Sequence, residues 1–353
     1  MSQYYLLKVK EVIRETEEAV TLVFDQPKEP VVYKPGQFLT LLLTINGEKL
    51  RRSYSLCTAP GIDKDLAVTV KKVIHGKVST YLVDKVKVGD IIEVMQPMGT
   101  FTTEHNPQIS RTVVLLAAGS GITPLMSILK SVLVNEPLSK VVLLYGNRNE
   151  NSIIFYNRLQ QLQDEYKERL KVFHVLSQPI STSVNPYSGA RLSQSLIIKI
   201  LETTGADISN ADYYICGPEG MMLEALNALS ILKIPGDKIH KESFATTVST
   251  EVVGQVVNDS QTKEQEVVVV YQGTEYKFTV PINKSILEAA LDQDIDLPYS
   301  CQSGLCTACM GKCVSGKVHL DSPDGLSDKE IQQGYVLTCV GHPVTSDVVI
   351  EID

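Results

Sequence analysis

Three cysteines in one short loop, and a fourth well downstream, constrain this chain more than any other feature. Cys301, Cys306 and Cys309 follow the spacing C-x4-C-x2-C inside P-Y-S-C-Q-S-G-L-C-T-A-C-M-G-K-C (298–313), and Cys339 lies in V-L-T-C-V-G. Four thiolates in this order form a ligand set for a [2Fe-2S] cluster. A loop carrying three of them can wrap two irons with its backbone N–H groups aimed at the sulfurs. Gly304 and the small residues Ser303, Thr307 and Ala308 allow that close approach. Zinc also takes four cysteines, but usually as two C-x2-4-C pairs, and only one close pair is present here. A disulfide framework is the other alternative, and nothing at the N-terminus reads as an export signal. Cys313 is a further candidate ligand. Met310–Val318 reads as a strand leaving the loop, so Cys313 is expected to be a packed thiol.

Residues 266–353 around these cysteines resemble plant-type ferredoxins, and the flanking L-P-Y-S-C and L-T-C fit as well as the cysteines do. The resemblance implies an α+β domain of the β-grasp kind, with Cys301, Cys306, Cys309 and Cys339 as ligands. Glu266–Tyr271 and Tyr276–Val280 read as a hairpin around Gln272-Gly273. Ser285–Asp292 reads as a helix capped by Asn283 or Ser285, with Glu288 as a capping-box partner.

The remaining length is enough for two further domains, since the chain has 353 residues. The longest apolar run, Val113–Ala118, is far short of a membrane span. A formal net charge of −8 argues against a nucleic-acid partner. Seven cysteines without an export signal imply a reducing compartment, so a cytoplasmic location is expected.

Residues 1–108 read as all-β. Tyr4–Val12, Ala19–Phe24, Gln37–Ile45, Leu66–Val73 and Asp90–Val94 are short strand-like runs, separated by turns such as Pro35-Gly36, Asn46-Gly47 and Pro60-Gly61. Such regular short strands predict an antiparallel barrel or sandwich. Two motifs stand out. Arg51-Arg52-Ser53-Tyr54-Ser55-Leu56 taken alone is a polar strand edge. Gly76-Lys77-Val78-Ser79-Thr80 opens a helix near Val78–Val83, whose free N–H groups, with the Ser79 and Thr80 hydroxyls, would suit a pyrophosphate. This order resembles the flavin domain of the ferredoxin–NADP reductase family. The resemblance implies that Tyr54 packs on the isoalloxazine, Arg52 meets the flavin pyrophosphate and Ser55 lies near the reactive N5. It also implies FAD rather than FMN. The Pro97-Met98-Gly99-Thr100-Phe101 turn reads equally as a flavin contact and as a barrel turn.

Residues 109–245 change character. The strands Val113–Ala118, Val141–Tyr145, Leu170–Leu176 and Asp212–Cys216 alternate with helical Ile122–Val134, Ser152–Glu165, Ser193–Leu201 and Glu219–Leu229. That alternation predicts an α/β doubly wound parallel sheet, which binds ligands at the carboxyl ends of its strands. Two turns lie there. Gly119-Ser120-Gly121-Ile122-Thr123-Pro124 can present backbone N–H groups to a pyrophosphate. Cys216-Gly217-Pro218 ends a second strand. Together, G-x-G-x-T-P and C-G-P resemble the nicotinamide domain of the same reductase family, which implies that Cys216 sits near the nicotinamide and Thr123 in the nucleotide turn. Phe244, in His240-Lys241-Glu242-Ser243-Phe244, is expected by the same resemblance near the flavin. Arg148, after the second strand, suits a 2′-phosphate and so predicts NADPH over NADH. Ala245–Gln265 is polar and aperiodic and reads as a linker, its last twenty residues (246–265) separating the second and third domains.

The three blocks in this order resemble the reductase components of bacterial oxygenases. The resemblance implies an electron path from NAD(P)H through flavin and cluster to an oxygenase. R-R-S-Y-S, Y-G-N-R and L-P-Y-S-C lean toward the reductases of multi-subunit di-iron phenylacetyl-CoA epoxidases. A redox sensor holding the same cofactors is the alternative from another class, and the intact C-G-P and G-x-G-x-T-P turns disfavour it.

Overall fold

The computed structural model of the chain describes residues 4–180, 186–244, 264–282, 284–299, 301–302, 304, 306–321, 323 and 325–352. Residues 4–242 form one unit, and a second begins at Ser243.

In the first unit, β1 (Tyr4–Thr16), β2 (Ala19–Phe24), β3 (Phe38–Ile45), β4 (Glu48–Ser55) and β5 (Leu66–Lys71) precede helix α1 (Lys77–Asp84) and β6 (Ile91–Met95). They form one sheet in the order β4-β3-β6-β1-β2-β5, antiparallel throughout. A bridge between Leu56 and Val68 brings the end of β4 onto β5 and closes the sheet into a barrel. Leu7, Val9, Leu22, Leu39, Leu41, Val68 and Val94 fill its interior. The Asn46-Gly47 turn places both residues at positive φ, 53° and 82°, as a type I′ hairpin requires. That turn fixes the β3–β4 register from Ile45–Glu48 to Phe38–Ser55. The polar run Arg51–Ser55, which taken alone reads as a polar strand edge, is thus part of a full strand.

The same unit continues with β7 (Thr112–Ala118), α2 (Ile122–Asn135), β8 (Lys140–Asn147), α3 (Tyr156–Glu165), β9 (Leu170–Leu176), α4 (Gln194–Thr203), β10 (Asp212–Gly217), α5 (Glu219–Ile231) and β11 (Ile239–Ser243). The sheet order is β11-β10-β7-β8-β9, with β10, β7, β8 and β9 parallel. Side chains alternate between two cores. Val113, Leu115, Val141 and Leu143 pack with Leu125 and Leu129 of α2 and Leu159 of α3. Val114, Leu116, Val142 and Leu144 pack with Ile197 and Ile200 of α4 and Ala225 and Leu229 of α5. Each such buried side chain is worth about 1.5–3 kcal/mol, which explains why these strands are unbroken apolar runs.

Two expectations change here. The helix expected over Ser152–Glu165 begins only at Tyr156. A 3-10 turn covers Glu150–Ser152, and Phe155 takes a left-handed conformation (φ 63°). A tertiary contact holds it there, since the Phe155 ring is buried and its N–H donates to Glu15 of β1 at 3.2 Å. Ile239–Ser243, expected to follow the last strand, is itself a strand.

Barrel and parallel sheet share a core, in which Ala19, Cys57, Ala67 and Phe101 of the barrel meet α2 and β7. Arg111 adds a polar tie. Its guanidinium donates to Glu136 (2.7 Å), Asp212 (2.9 Å) and the Thr103 hydroxyl (3.1 Å). Burial works against ionised Glu136, but the His105 ring 3.7 Å away and hydrogen bonds from Arg111 and Ser139 hold its carboxyl down to about 2.

The second unit holds β12 (Gln265–Tyr271), β13 (Thr274–Val280), α6 (Ile286–Leu291), β14 (Met310–Ser315), β15 (Val318–Leu320), α7 (Asp328–Gln332), β16 (Tyr335–Leu337), β17 (Gly341–Pro343) and β18 (Val348–Ile352). Its main sheet runs β13-β12-β18-β14-β16, with β12 and β18 parallel and the other pairs antiparallel. Helix α6 covers it, and Ser285 and Glu288 form the expected capping box. Asn283 and residues 245–263 of the linker lie outside the described residues, and Gln265 already belongs to β12. The strand expected over Met310–Val318 is split at Gly316 (φ 75°), where a Cβ would stand 2.8 Å from Thr345 and Val348.

Candidate functional site

Strand β4 presents the flavin motif. Arg52 and Tyr54 share a face with Leu41 and Leu39, their register partners on β3. Tyr54 is half-buried, and burial raises its phenol above the ordinary value despite Arg52 nearby. Ser53 lies on the opposite face, 2.9 Å from the Thr40 hydroxyl, and Ser55 is buried. Arg52 is exposed, its guanidinium resting on the Arg51 carbonyl at 2.7 Å.

The second flavin motif folds against this hairpin. Lys77, in the first turn of α1, pairs with Glu48 at the start of β4 at 2.8 Å. Gly76 is the N-cap residue, and a Cβ there would meet the Ser79 hydroxyl at 2.6 Å. The Ser79 hydroxyl accepts from the Val73 N–H (3.0 Å) and donates to the Gly76 carbonyl (3.4 Å), so it is committed locally. What this turn offers a phosphate is backbone: the N–H groups of Lys77, Val78 and Ser79 have no helical partner. Thr80 is exposed beside them. In the Pro97–Phe101 turn, Gly99 (φ 115°) accepts from the Gln37 amide, and Phe101 packs edge-on to Tyr214 at 5.5 Å.

The nucleotide turns meet at the switch point of the parallel sheet, between β7 and β10. Gly119 (φ 54°) opens a 3-10 turn that runs into α2, and its carbonyl accepts from the Tyr145 hydroxyl at 3.0 Å. Thr123 is buried, with its hydroxyl donating to the Ser120 carbonyl at 3.0 Å, and Pro124 sits in the first turn, where a missing N–H costs nothing. A Cβ on Gly121 would stand 2.0 Å from the Cys216 carbonyl, so this glycine is what lets the two turns touch. Gly217 ends β10 and Pro218 caps α5. Arg148 is exposed just past β8, and Phe244 is exposed one residue past β11.

Glu242 on β11 belongs with these residues; it stands in the His240–Phe244 run, from which only Phe244 is expected at the site. One carboxylate oxygen is buried without a hydrogen-bond partner among the described residues. Burial pushes the carboxyl up to about 8. The Cys216 thiol is fully buried and raised, by burial first and by Glu242 second. Burial thus favours the neutral form of both groups. Because the native value of about 8 lies above the ordinary 4.5, the folded chain holds a proton that the unfolded chain loses. The stability this contributes is complete below pH 4.5 and is lost as pH rises through 8. Glu242→Gln, which mimics the neutral acid, is expected to flatten that dependence. Between pH 6 and 9 the wild-type Tm should fall by ~3 °C or more beyond that of the variant, measured by calorimetry; parallel curves would refute a buried neutral Glu242.

In the second unit, the loop between α6 and β14 gathers the cysteines. Cys306 is hydrogen-bonded to Cys301, and Cys339 to both Cys301 and Cys309. Backbone N–H groups point at sulfur in three places: Ala308 at Cys306, Cys339 at Cys309 and Gly304 at Cys339. Gly304 takes φ 72°, a conformation that glycine adopts at little cost. Mutual hydrogen bonding comes first among the causes that raise Cys306 and Cys339 and lower Cys309. Thiols crowded this way ionise together only with cationic charge among them. Four thiols linked in this way, with N–H groups behind them and the C-x4-C-x2-C spacing, suit the ligand set of a two-iron cluster. Cys313 lies on β14, half-buried, with its thiol directed to the Ser315 carbonyl at 3.1 Å, as a packed thiol should be. Ser303 lies outside the described residues.

Comparison with known proteins agrees with this geometry. Residues 5–103 match the family described as oxidoreductase FAD-binding domain, residues 115–226 the oxidoreductase NAD-binding domain, and residues 269–344 the 2Fe-2S iron-sulfur cluster binding domain. The chain is 37% identical to a component of the 1,2-phenylacetyl-CoA epoxidase of Escherichia coli (strain K12), over 100% of this chain and 99% of that one. It is 35% identical to the ferredoxin reductase component of 3-ketosteroid-9-alpha-monooxygenase from Mycolicibacterium smegmatis, over 98% and 96%. Among solved structures, phthalate dioxygenase reductase superposes with a TM-score of 0.60 at 23% identity, covering 99% of this chain and 98% of that chain, a likeness of fold. FAD, a nicotinamide nucleotide and a [2Fe-2S] cluster are accordingly the cofactors of its three domains. The chain belongs to the family of FAD- and NAD(P)H-dependent oxidoreductases with a C-terminal 2Fe-2S domain, the reductase components of oxygenases.

Proposed function

We propose that this reductase draws electrons from NADPH and delivers them to a multi-subunit di-iron oxygenase acting on phenylacetyl-CoA. The observation that carries the partner is the 37% identity, end to end, with the epoxidase component. A steroid-type oxygenase is the second reading, favoured by the 35% identity with the monooxygenase reductase. The test is reconstitution of oxygenase subunits, phenylacetyl-CoA, NADPH and this protein, with mass detection of an oxygenated CoA ester. Product formation supports the first reading; no product, while a steroid or other oxygenase is served well, transfers the assignment.

Bound FAD supplies the conversion of a hydride's two electrons into the single electrons that an iron–sulfur cluster accepts. The chain's residues bind and orient. Tyr54 offers its ring to the isoalloxazine. Arg52, with the N–H groups of Lys77, Val78 and Ser79 and the exposed Thr80, holds the flavin pyrophosphate. The Gly119–Gly121 turn and the start of α2, with Thr123 and Pro124, hold the nucleotide pyrophosphate. Ser55, Cys216 and the following Gly217-Pro218 border the nicotinamide ring, and Glu242 keeps the Cys216 thiol in a neutral environment. Cys301, Cys306, Cys309 and Cys339 hold the cluster. We place domain borders after residues 108 and 245, with the third domain beginning at β12, and the protein in the cytoplasm, where cysteines stay reduced and able to hold iron.

Arg148 reads the 2′-phosphate in this arrangement. Arg148→Ala should raise KM for NADPH about tenfold, the loss of one charge-assisted contact, and change KM for NADH by less than about twofold. Equal effects in steady-state assays with the two nucleotides would remove Arg148 from the site.

A further inference from the structure

The segment that follows the strand carrying Tyr54 and Ser55 and the helix that begins at the nucleotide turn are tied by two polar contacts outside both cofactor motifs. Ser127, fully buried on α2, donates to the Thr58 carbonyl at 2.6 Å. One turn on, buried Lys130 pairs with Asp63 at 2.5 Å. Asp63 is itself fixed, accepting from the Ala59 N–H at 2.6 Å, and the Thr58 hydroxyl accepts from Tyr33 at 3.0 Å. Thr58 stands three residues beyond Ser55, and Ser127 three beyond Pro124. A lysine is seldom buried, and this one is held against a carboxylate from the other domain.

Resting on the flavin and nicotinamide reading above, we propose that Lys130 and Ser127 are positioning residues for hydride transfer: they set the register of the nicotinamide turn against the flavin strand. Among the described residues, further polar ties between barrel and sheet enter elsewhere, from Arg111 just before β7 to Thr103 and Glu104, from Tyr214 on β10 to Thr102, and from Phe155 to Glu15 at the end of β1. Those hold the domains together without touching α2's first turns or the segment after β4. Hydride transfer depends steeply on donor–acceptor placement, and an error near 1 Å costs on the order of 100-fold. A clamp at Thr58 and Asp63 is therefore read in the rate of flavin reduction before it is read in nucleotide affinity.

The test compares holoprotein with Lys130→Met, Lys130→Arg and Ser127→Ala. Anaerobic stopped-flow reduction by NADPH gives a limiting rate and an apparent Kd, and bound flavin is counted by absorbance. Amide hydrogen exchange over residues 57–63 gives a readout independent of turnover. Lys130→Met is expected to lower the limiting rate about tenfold, with Kd within about twofold and flavin content unchanged, and to speed exchange in 57–63. Lys130→Arg should recover at least half of the rate. Ser127→Ala, the milder change and the recourse if Lys130→Met does not fold, should lower the rate about threefold. A limiting rate within twofold of wild type in both Lys130→Met and Ser127→Ala, or a loss that only tracks lost flavin, overturns the inference while leaving the cofactor reading intact. If NADPH fails to reduce wild-type flavin at all, both fall.

Discussion

Cys301→Ser is expected to abolish NADPH-dependent reduction of cytochrome c, by on the order of 100-fold or more, while NADPH still bleaches the flavin. Cys301 lies at the junction of the sulfur group, hydrogen-bonded to Cys306 and to Cys339. Its loss removes a ligand from a set with no spare: Cys313, the nearest alternative, turns its thiol toward the Ser315 carbonyl on β14. Iron analysis should show the cluster gone in Cys301→Ser and two irons retained in Cys313→Ser. The flavin and nucleotide residues other than Phe244 fall within the unit formed by residues 4–242, so hydride uptake should survive. Iron lost from Cys313→Ser but kept in Cys339→Ser would mean that the fourth ligand is misassigned.

Gly121→Ala is the second large effect. The added Cβ would stand 2.0 Å from the Cys216 carbonyl oxygen, 2.4 Å from the carbonyl carbon and 2.8 Å from the Gly217 nitrogen, all backbone atoms that no rotamer change relieves. The two turns at the sheet's switch point must separate, displacing Cys216 from the first turn of α2. NADPH oxidation with ferricyanide should fall on the order of 100-fold, with bound flavin and cluster unchanged. Gly220→Ala, on exposed α5 where a Cβ meets nothing within 4 Å, is the control and should leave the rate within about twofold. A Gly121→Ala enzyme of near wild-type rate would show that the contact between the turns does not set the nicotinamide site.

Much of this arrangement was legible because local chemistry and tertiary role coincide. Val113–Ala118 is an unbroken apolar run because both faces of β7 are covered, and the glycines after it are required where two turns touch. Asn46-Gly47 and Gln272-Gly273 announce hairpins because both positions need positive φ. The misses share a cause. Arg51–Ser55 reads only as a strand edge because polar side chains stand on both faces of β4, Arg52 on one and Ser53 on the other, so its pattern lacks the usual alternation. Phe155 is left-handed only because Glu15, 140 residues away, takes its N–H. Ser79 reads as a phosphate ligand, yet its hydroxyl closes the turn before α1. Glu242 stands in the His240–Phe244 run, but its chemistry depends on burial on strand β11, which the tertiary fold alone creates.

In the proposed electron path, one chain takes a hydride at its flavin and hands single electrons to its own cluster. Rapid-freeze electron paramagnetic resonance after anaerobic mixing with NADPH tests it most directly. A reduced [2Fe-2S] signal approaching one spin per chain is predicted in wild type, and none in Cys301→Ser, in which the flavin still bleaches. A cluster that stays oxidised in the wild-type protein while its flavin is fully reduced would contradict the claim.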